Sequence, residues 1–507
     1  VKENLSNLKK SARELYLLNR TQAVVSWDQE TQMPDAANEE RAEQLALLEG
    51  IMHQKLTSPE VGRLLSALGA EEGRPEGKGD FAVEDKAFVR EMYRNYSRAS
   101  KLPESLVTEM ARQTGLAHTS WVNARKNADF SLFEGNLEKI IELNREKADK
   151  IGYKEHPYDA LLDEYEPYMT ASQVEGVFGP LGEKLSDLTA RIAASKQVDT
   201  SFIEKKYPVE LQDKFGRSVI DKMGFPMDRG RLDISAHPFT TNLGTNDVRI
   251  TTRYDEELVL SGLFSNIHES GHALYELGIG ENIQGNILAE GVSLGIHESQ
   301  SRFWENVIGR SKPFWEVFYP EFQKLFGEQT KGVGLDDFHK AVNKVAPSFI
   351  RVEADEVTYS LHVILRFEIE KAMLSGDIKV SSLPDEWNRR MKDLLGIVPA
   401  DDAEGVLQDV HWAAGLIGYF PTYALGNLYA AQFSNSMKSG IGDLDDVIRT
   451  GKFGKILGWL RENIHQYGMV YPADELCRRV TGENLNPDYF TDYLEKKYGE
   501  IYGLRGN

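Results

Sequence analysis

The stretch His268-Glu269-Ser270-Gly271-His272 puts two histidines four residues apart in a segment of helical periodicity. On a wheel stepping about 100° per residue from His268, His272 falls at about 40°, Glu276 at about 80° and Glu269 at about 100°. Leu260, Leu263, Ile267, Leu274 and Leu277 fall on roughly the opposite side. Such a helix buries its aliphatic back and offers a His/Glu front. A merely solvated face would carry Lys, Glu and Gln more often than two histidines. H-E-x-x-H supplies two metal ligands on one face and a carboxylate beside them as general base, which is the chemistry of metal-assisted hydrolysis. The alternative is a pair of surface histidines at i,i+4. With 11 His in the chain, a chance match has odds on the order of a few per cent.

A hydrolytic zinc takes three protein ligands and keeps a fourth position for water. No histidine follows at short spacing, since the tenth residue after His268 is Gly278. The third ligand is therefore sought on a second helix, expected over residues 286–309. There Glu298, in His297-Glu298-Ser299-Gln300, is the gluzincin-type candidate. Its alternative is an i,i+4 pair with Arg302, and Glu290 competes more weakly. His297 points about 100° away from Glu298 and reads as a support or packing residue. Glu276, one turn beyond His272, is a candidate to accept the outer ring N–H of a ligating histidine; its alternative is an exposed carboxylate.

The rest of the chain agrees with a mainly helical protein. Residues 1–19, 41–54, 83–115, 132–151, 171–194 and 313–326 have helical periodicity, and residues 70–80 read as a loop. The clear β signal lies over 231–254, where alternation around an Asn/Gly turn predicts an antiparallel hairpin. No repeat or long linker marks independent domains, so a single domain over 1–507 is expected. Its metal core would span about 231–427, and helices over about 1–70 would flank or cover the groove. A formal charge of −20 argues against nucleic acid and anionic membrane as partners. The lone Cys477 allows no intrachain disulfide. No apolar run reaches the roughly 18 residues of a membrane span, and the amphipathic start is no signal core. A soluble cytoplasmic protein is the simplest expectation.

Several motifs occur in a recognisable order: Trp27-Asp28-Gln29-Glu30-Thr31-Gln32-Met33-Pro34, His237-Pro238-Phe239, Asp247-Val248-Arg249-Ile250-Thr251, the metal motif, His297-Glu298-Ser299-Gln300, Ile350-Arg351-Val352-Glu353-Ala354-Asp355 and Gly405-Val406-Leu407-Gln408-Asp409-Val410-His411-Trp412. Along nearly its whole length the chain resembles the carboxypeptidase Taq family of zinc metallocarboxypeptidases. The resemblance implies a cytosolic, homodimeric, mostly helical enzyme with a deep groove, similar in fold to neurolysin and angiotensin-converting enzyme. It also implies release of single residues from peptide C-termini with broad specificity. Zn²⁺ is the expected metal; Co²⁺ or Mn²⁺ also suit a His₂Glu site.

A carboxypeptidase must recognise a free α-carboxylate, and a guanidinium fork suits it. Arg351 is the candidate. It is expected to open a helix running to about 373, with Asp355 one turn on to hold the guanidinium; the alternative is a plain helix pair. The family motifs around His237 and Arg249 imply closure of the groove end, against a sheet-edge polar role for each. Residues 415–426 read as a flexible loop. There Tyr423, ahead of Tyr419, is placed by the resemblance to donate to the oxyanion, against simple aromatic packing. Gln408, Asp409, His411 and Trp412 are expected to support that loop, with a substrate contact a further role for His411. Two rivals stand beside this reading: an oligopeptidase that cuts internal bonds or releases dipeptides, and an inactive peptide-binding scaffold. Replacing Glu269 by Gln is expected to leave metal bound, by elemental analysis, while abolishing peptide hydrolysis; near-normal turnover would remove Glu269 as the base.

Overall fold

Apolar residues at helical spacing build most of this chain, and prolines and glycines decide where each helix stops. The computed structural model describes residues 1–504. Helices α1 (Lys2–Thr31), α2 (Asn38–Leu56), α3 (Pro59–Ala67) and α4 (Val83–Lys101) come first. Leu8 and Tyr16 of α1, Leu65 of α3 and Phe88 and Met92 of α4 share a small core, which Ile283 and Leu288 complete from far along the chain. The expected helix over 83–115 is two helices. Leu102 is extended (ψ 118°) because the ring of Pro103 disfavours the helical conformation in the residue before it. Helix α5 (Glu104–Asn127) then restarts, followed by α6 (Ser131–Ile151), α7 (Pro157–Leu162), α8 (Ala171–Ala193) and α9 (Val209–Met223).

A three-stranded sheet follows, with β1 (Leu232–Ile234), β2 (Thr240–Gly244) and β3 (Asp247–Thr252) in the order β1-β3-β2. The expected hairpin is β2–β3, antiparallel with Thr240 opposite Ile250. The expectation fails for β1, which pairs parallel to β3, Leu232 opposite Ile250. That register sends Leu232, Val248 and Ile250 into the main core.

The motif helix is α10 (Val259–Glu276). Leu263, Ile267, Leu274 and Leu277 are buried, and Leu260 is half-buried against the same core. The expected helix over 286–309 is shorter: α11 spans Leu294–Arg302 and runs into a π-helical turn, Phe303–Ile308. Residues 286–293 are irregular. Ser293 ends them as the N-cap, its Oγ accepting from the Ile296 N–H at 3.1 Å. Behind α10, Phe215 of α9 packs with Trp315, Phe318 and Phe322 of α12 (Lys312–Leu325), and Phe338 of α13 (Leu335–Val342) joins them. This aromatic box lies behind the motif helix. Helices α14 (Tyr359–Ser375), α15 (Leu383–Leu395), α16 (Pro421–Ile441), α17 (Leu444–Arg449), α18 (Phe453–Asn463), α19 (Ala473–Thr481) and α20 (Asp488–Tyr502) complete the fold. Among the described residues no helix is long and apolar enough to cross a membrane.

Helix α11 is anchored at its start by a buried acid. Glu166, 1 % exposed, accepts from the Gly295 N–H. Burial pushes its carboxyl up to about 8, outweighing the bonds from Ser293 and Gly295. A raised acid pKa means that the folded state holds the proton more tightly than the unfolded chain. The associated stability is complete below the ordinary value of 4.5 and is lost as pH rises to about 8. Glu166→Gln removes this dependence. In metal-stripped protein, the melting temperature of the variant minus that of the parent should therefore rise steadily between those pH values, as read by scanning calorimetry; a flat difference contradicts the assignment.

Candidate metal centre and active site

The front of α10 meets α11 at a distance set by glycine. A Cβ on Gly271 would lie 2.6 Å from Ser301 Cα and 2.7 Å from the Gln300 carbonyl oxygen, so only glycine permits this approach. On the other flank Gly426 of α16 does the same: a Cβ there would lie 2.5 Å from Glu298 Cγ. Glu298 is thereby delivered to the two histidines. Its Oε2 is 3.7 Å from His268 Nε2 and 3.4 Å from His272 Nε2. One ligand atom from each residue lies within 4.8 Å of the others. Metal–ligand bonds of about 2.0–2.2 Å at tetrahedral angles separate donors by roughly 3.2–3.6 Å. The set therefore fits a divalent cation with one coordination position left open.

The electrostatics favour the ligand forms of Glu298 and His272, while at His268 the neighbouring carboxylates favour the proton that a bound cation would displace. Burial opposes charge on Glu298, but Arg302 and the two histidines hold it well below the usual carboxylate range. Burial, helped by His297, lowers His272 to about 3, so its imidazole is neutral. Burial also opposes charge on His268, but Glu298 and Glu305 outweigh it and raise that pKa. The pairing of Glu298 with Arg302 is real, at 2.7 Å through Oε1, and leaves Oε2 for the histidines. The two roles weighed for Glu298 do not exclude each other. Glu269 is 7 % exposed, and burial raises its carboxyl despite His268 and Thr240. Thr240 Oγ1 of β2 lies 2.6 Å from its Oε2.

One supporting residue, Glu276, differs from the expectation. Glu276 does not serve a ligating histidine: it accepts from Asn242 Nδ2 at 2.7 Å and meets His297 Nε2 at 2.7 Å. The His297 ring stacks on that of His272, centroids 4.5 Å apart, and so occupies Glu276's route. His272 Nδ1 has no partner among the described residues. Glu305 instead meets a histidine of the motif, His268 Nδ1, at 2.8 Å. Its position in the π-helical turn, outside the 3.6-residue period, hid it from the sequence pattern. Glu290 stands apart from the cluster, paired with Arg20 of α1.

The comparisons with known proteins enter at this geometry. The model of the family described as "Carboxypeptidase Taq (M32) metallopeptidase" matches residues 7–498. Carboxypeptidase 1 of Bacillus subtilis is 43% identical over 483 residues, 95% of each chain. Thermostable carboxypeptidase 1 of Thermus thermophilus is 43% identical over 511 residues, 98% of each. The crystal structure of M32 carboxypeptidase from Deinococcus radiodurans superposes with a TM-score of 0.95 at 37% identity, over 99% of this chain and 100% of that one. The chain belongs to the carboxypeptidase Taq family. It is a metallopeptidase.

In this member of the family Arg351 is placed otherwise than the sequence suggested. It sits in a short 3₁₀ turn, Arg351–Glu353, and α14 begins only at Tyr359. The break belongs to Asp355. Its side chain accepts from the N–H groups of Val357 and Thr358, each at 3.0 Å, and of Ala346 at 3.1 Å, so it competes with a continuous helix and cannot reach the guanidinium. Asp409 holds Arg351 instead, with Nε at 3.1 Å and Nη2 at 2.8 Å from Oδ1. Arg351 Nη1 donates to Tyr359 Oη at 3.0 Å, and its backbone N–H to Gln408.

The expected flexible loop is half helix, because Pro421 opens α16 and puts Tyr423 on its first turn. Tyr423 Oη lies 3.2 Å from His411 Nε2, and Tyr419 packs edge-on against Tyr423. Burial raises both phenols above their ordinary value, which keeps them as O–H donors. For Tyr419, Glu298 is the strongest charge acting after burial. Trp412 Nε1 donates to Glu370 at 2.9 Å. Arg249 forms a two-pronged pair with Asp247 and stacks on Trp27 at 4.4 Å; His237 is exposed ahead of β2. Neither joins the metal cluster. Loss of an outer-sphere carboxylate typically weakens metal binding ~10–100-fold. Glu305→Gln is expected to do so in a metal-buffered titration, with helical content unchanged by circular dichroism; parent-like affinity would show that Glu305 does not tune His268.

Proposed function

We propose that the protein is a zinc carboxypeptidase that releases single residues from peptides with a free C-terminus, on a helical frame of the neurolysin type. The observation that supports this best is the state of Arg351. A guanidinium has five N–H donors; two go to Asp409 and one to Tyr359, which leaves two. The residue is 4 % exposed, and its guanidinium lies over the rings of Tyr423 and Phe420 at 4.9 and 5.5 Å. It is joined to the metal cluster through Tyr359, on whose ring Arg302 stacks at 4.5 Å while bonding Glu298.

In this reading His268, His272 and Glu298 hold the metal. Bound zinc supplies Lewis acidity toward water and the scissile carbonyl. Glu269, its carboxyl raised by burial, takes the proton of the attacking water and passes it to the leaving amine. Thr240 holds that carboxylate in place. The Tyr423 O–H donates to the developing oxyanion, with Tyr419 beside it as the second available phenol. Arg351 holds the terminal carboxylate, so that the last peptide bond is the one presented. Asp409 orients Arg351, and His411 orients Tyr423. His237, ahead of β2, and Arg249, on β3, limit the length of substrate.

The test is mass spectrometry of a peptide mixture. A ladder of single C-terminal losses is expected, abolished by a chelator and absent for C-terminally amidated peptides. Hydrogen bonds to charged groups are worth about 1.5–3 kcal/mol each, so Arg351→Ala should lower kcat/KM on free-acid peptides ~100-fold or more. Internal cleavage, or equal cutting of amides, would replace this reading by the oligopeptidase one.

A further inference from the structure

Two buried arginines share one carboxylate. Asp409 Oδ1 takes Arg351, and its Oδ2 accepts from Arg366 Nε at 2.7 Å, with Arg366 Nη2 2.6 Å away. Arg366, on α14, is 0 % exposed. Its Nη1 donates to the His362 carbonyl at 2.7 Å, and its guanidinium lies on Trp387 and Phe420 at 4.6 and 5.4 Å. Burial lowers its pKa only to about 10, so it remains a cation.

The two histidines around this triad do not balance it, and Glu370 does so only in part. Burial first, then the two arginines, bring His362 to about 3. Burial brings His411 to about 4 despite Asp409. Both rings are therefore neutral near pH 7. Glu370, one turn after Arg366, is occupied by Tyr158 Oη, Trp412 Nε1 and the Gly418 N–H, and burial raises it to about 7. No other carboxylate is ion-paired with either arginine among the described residues. Arg351 and Asp409 alone would form a neutral pair, a poor receptor for an anion. Arg366 on the second oxygen of Asp409 gives these three side chains one net positive charge beside the two unspent donors of Arg351, and Glu370, at about 7, offsets it only in part near pH 7.

We propose that Arg366 is a positioning and specificity-determining residue of the C-terminal carboxylate subsite. It neutralises Asp409, so that Asp409 can orient Arg351 without cancelling its charge. A buried cation lacking its anion is unfavourable, and the incoming α-carboxylate supplies that anion. Preference for a free C-terminus thus depends on a side chain that does not touch the substrate. This rests on the reading of Arg351 as the carboxylate-binding residue.

The experiment measures binding to metal-loaded protein carrying Glu269→Gln, so that nothing turns over. The probes are an N-acetylated tripeptide as free acid and as C-terminal amide, by calorimetry. The acid is expected to bind more tightly than the amide. Arg366→Met should weaken the acid ~10–100-fold, as loss of a charged partner does, and change the amide by no more than about two-fold. Arg366→Lys, which keeps the charge, should retain most of the preference. Arg366→Met with Asp409→Asn removes both charges and leaves Arg351 cationic again. Buried pairs exchanged for neutral groups are often tolerated, so this variant is informative even if the single one folds poorly. It should recover preference for the acid; a purely structural role for Arg366 predicts no recovery. Equal weakening of acid and amide, or no recovery in the double variant, overturns the proposal. If Arg351→Met leaves the acid-over-amide preference intact, the reading of Arg351 itself has failed.

Discussion

The site rests on the burial of ionised carboxylates inside a helical protein. Glu298 and Glu305 are both under 10 % exposed, yet both are held as anions. Burial alone would protonate them. Arg302 bonds both, Arg310 approaches Glu305, and the metal-site histidines face them from α10. Removing one member of such a buried set costs roughly 3–5 kcal/mol, because its partner is left uncompensated. This requirement binds α10, α11 and the π-helical turn into one rigid unit. It also explains why the aromatic box behind α10 and the Glu166 anchor at the start of α11 concern function as well as folding: each fixes one of the helices whose charges must meet.

Charge can be brought together only if backbones come close enough. Gly271 and Gly426 let α10 and α16 lie against α11 on two sides, where a methyl group would overlap backbone or the Glu298 side chain. The second x of H-E-x-x-H, Gly271, is therefore not free in this chain. The second charged cluster, Arg351–Asp409–Arg366, uses the same principle with a different outcome. There the charges do not cancel, and the surplus lies where the substrate carboxylate is proposed to bind.

Much of this was legible in the residues. The 3.6-residue period of the α10 segment identified its buried back and its His/Glu front, and both are as expected. Glu298 could be singled out, ahead of Glu290, because a third group was sought on a downstream helix, and it does cluster with the two histidines. The misses share a cause. Asp355 was assigned to Arg351 because four residues separate them, which is contact only if the helix is continuous; Asp355 is itself the group that breaks it. Glu276 is a candidate partner for a motif histidine by the same local geometry, and His297 from the neighbouring helix takes it instead. Glu305 and Thr240 gave no periodic signal, one lying in a π-helical turn and the other on a strand.

The sequence by itself determined the helical class, the metal motif and the family to which the chain belongs. Each depends on residues close together in the chain or on their order along it. Only the tertiary structure decided which side chain orients which. His268 with Glu305, Glu269 with Thr240, and Arg351 with Asp409 join residues 37, 29 and 58 positions apart. Helical periodicity carries information over about one or two turns. Beyond that range a pairing is set by how helices pack, which here depends on where a glycine admits a neighbouring backbone and where a buried charge requires a partner.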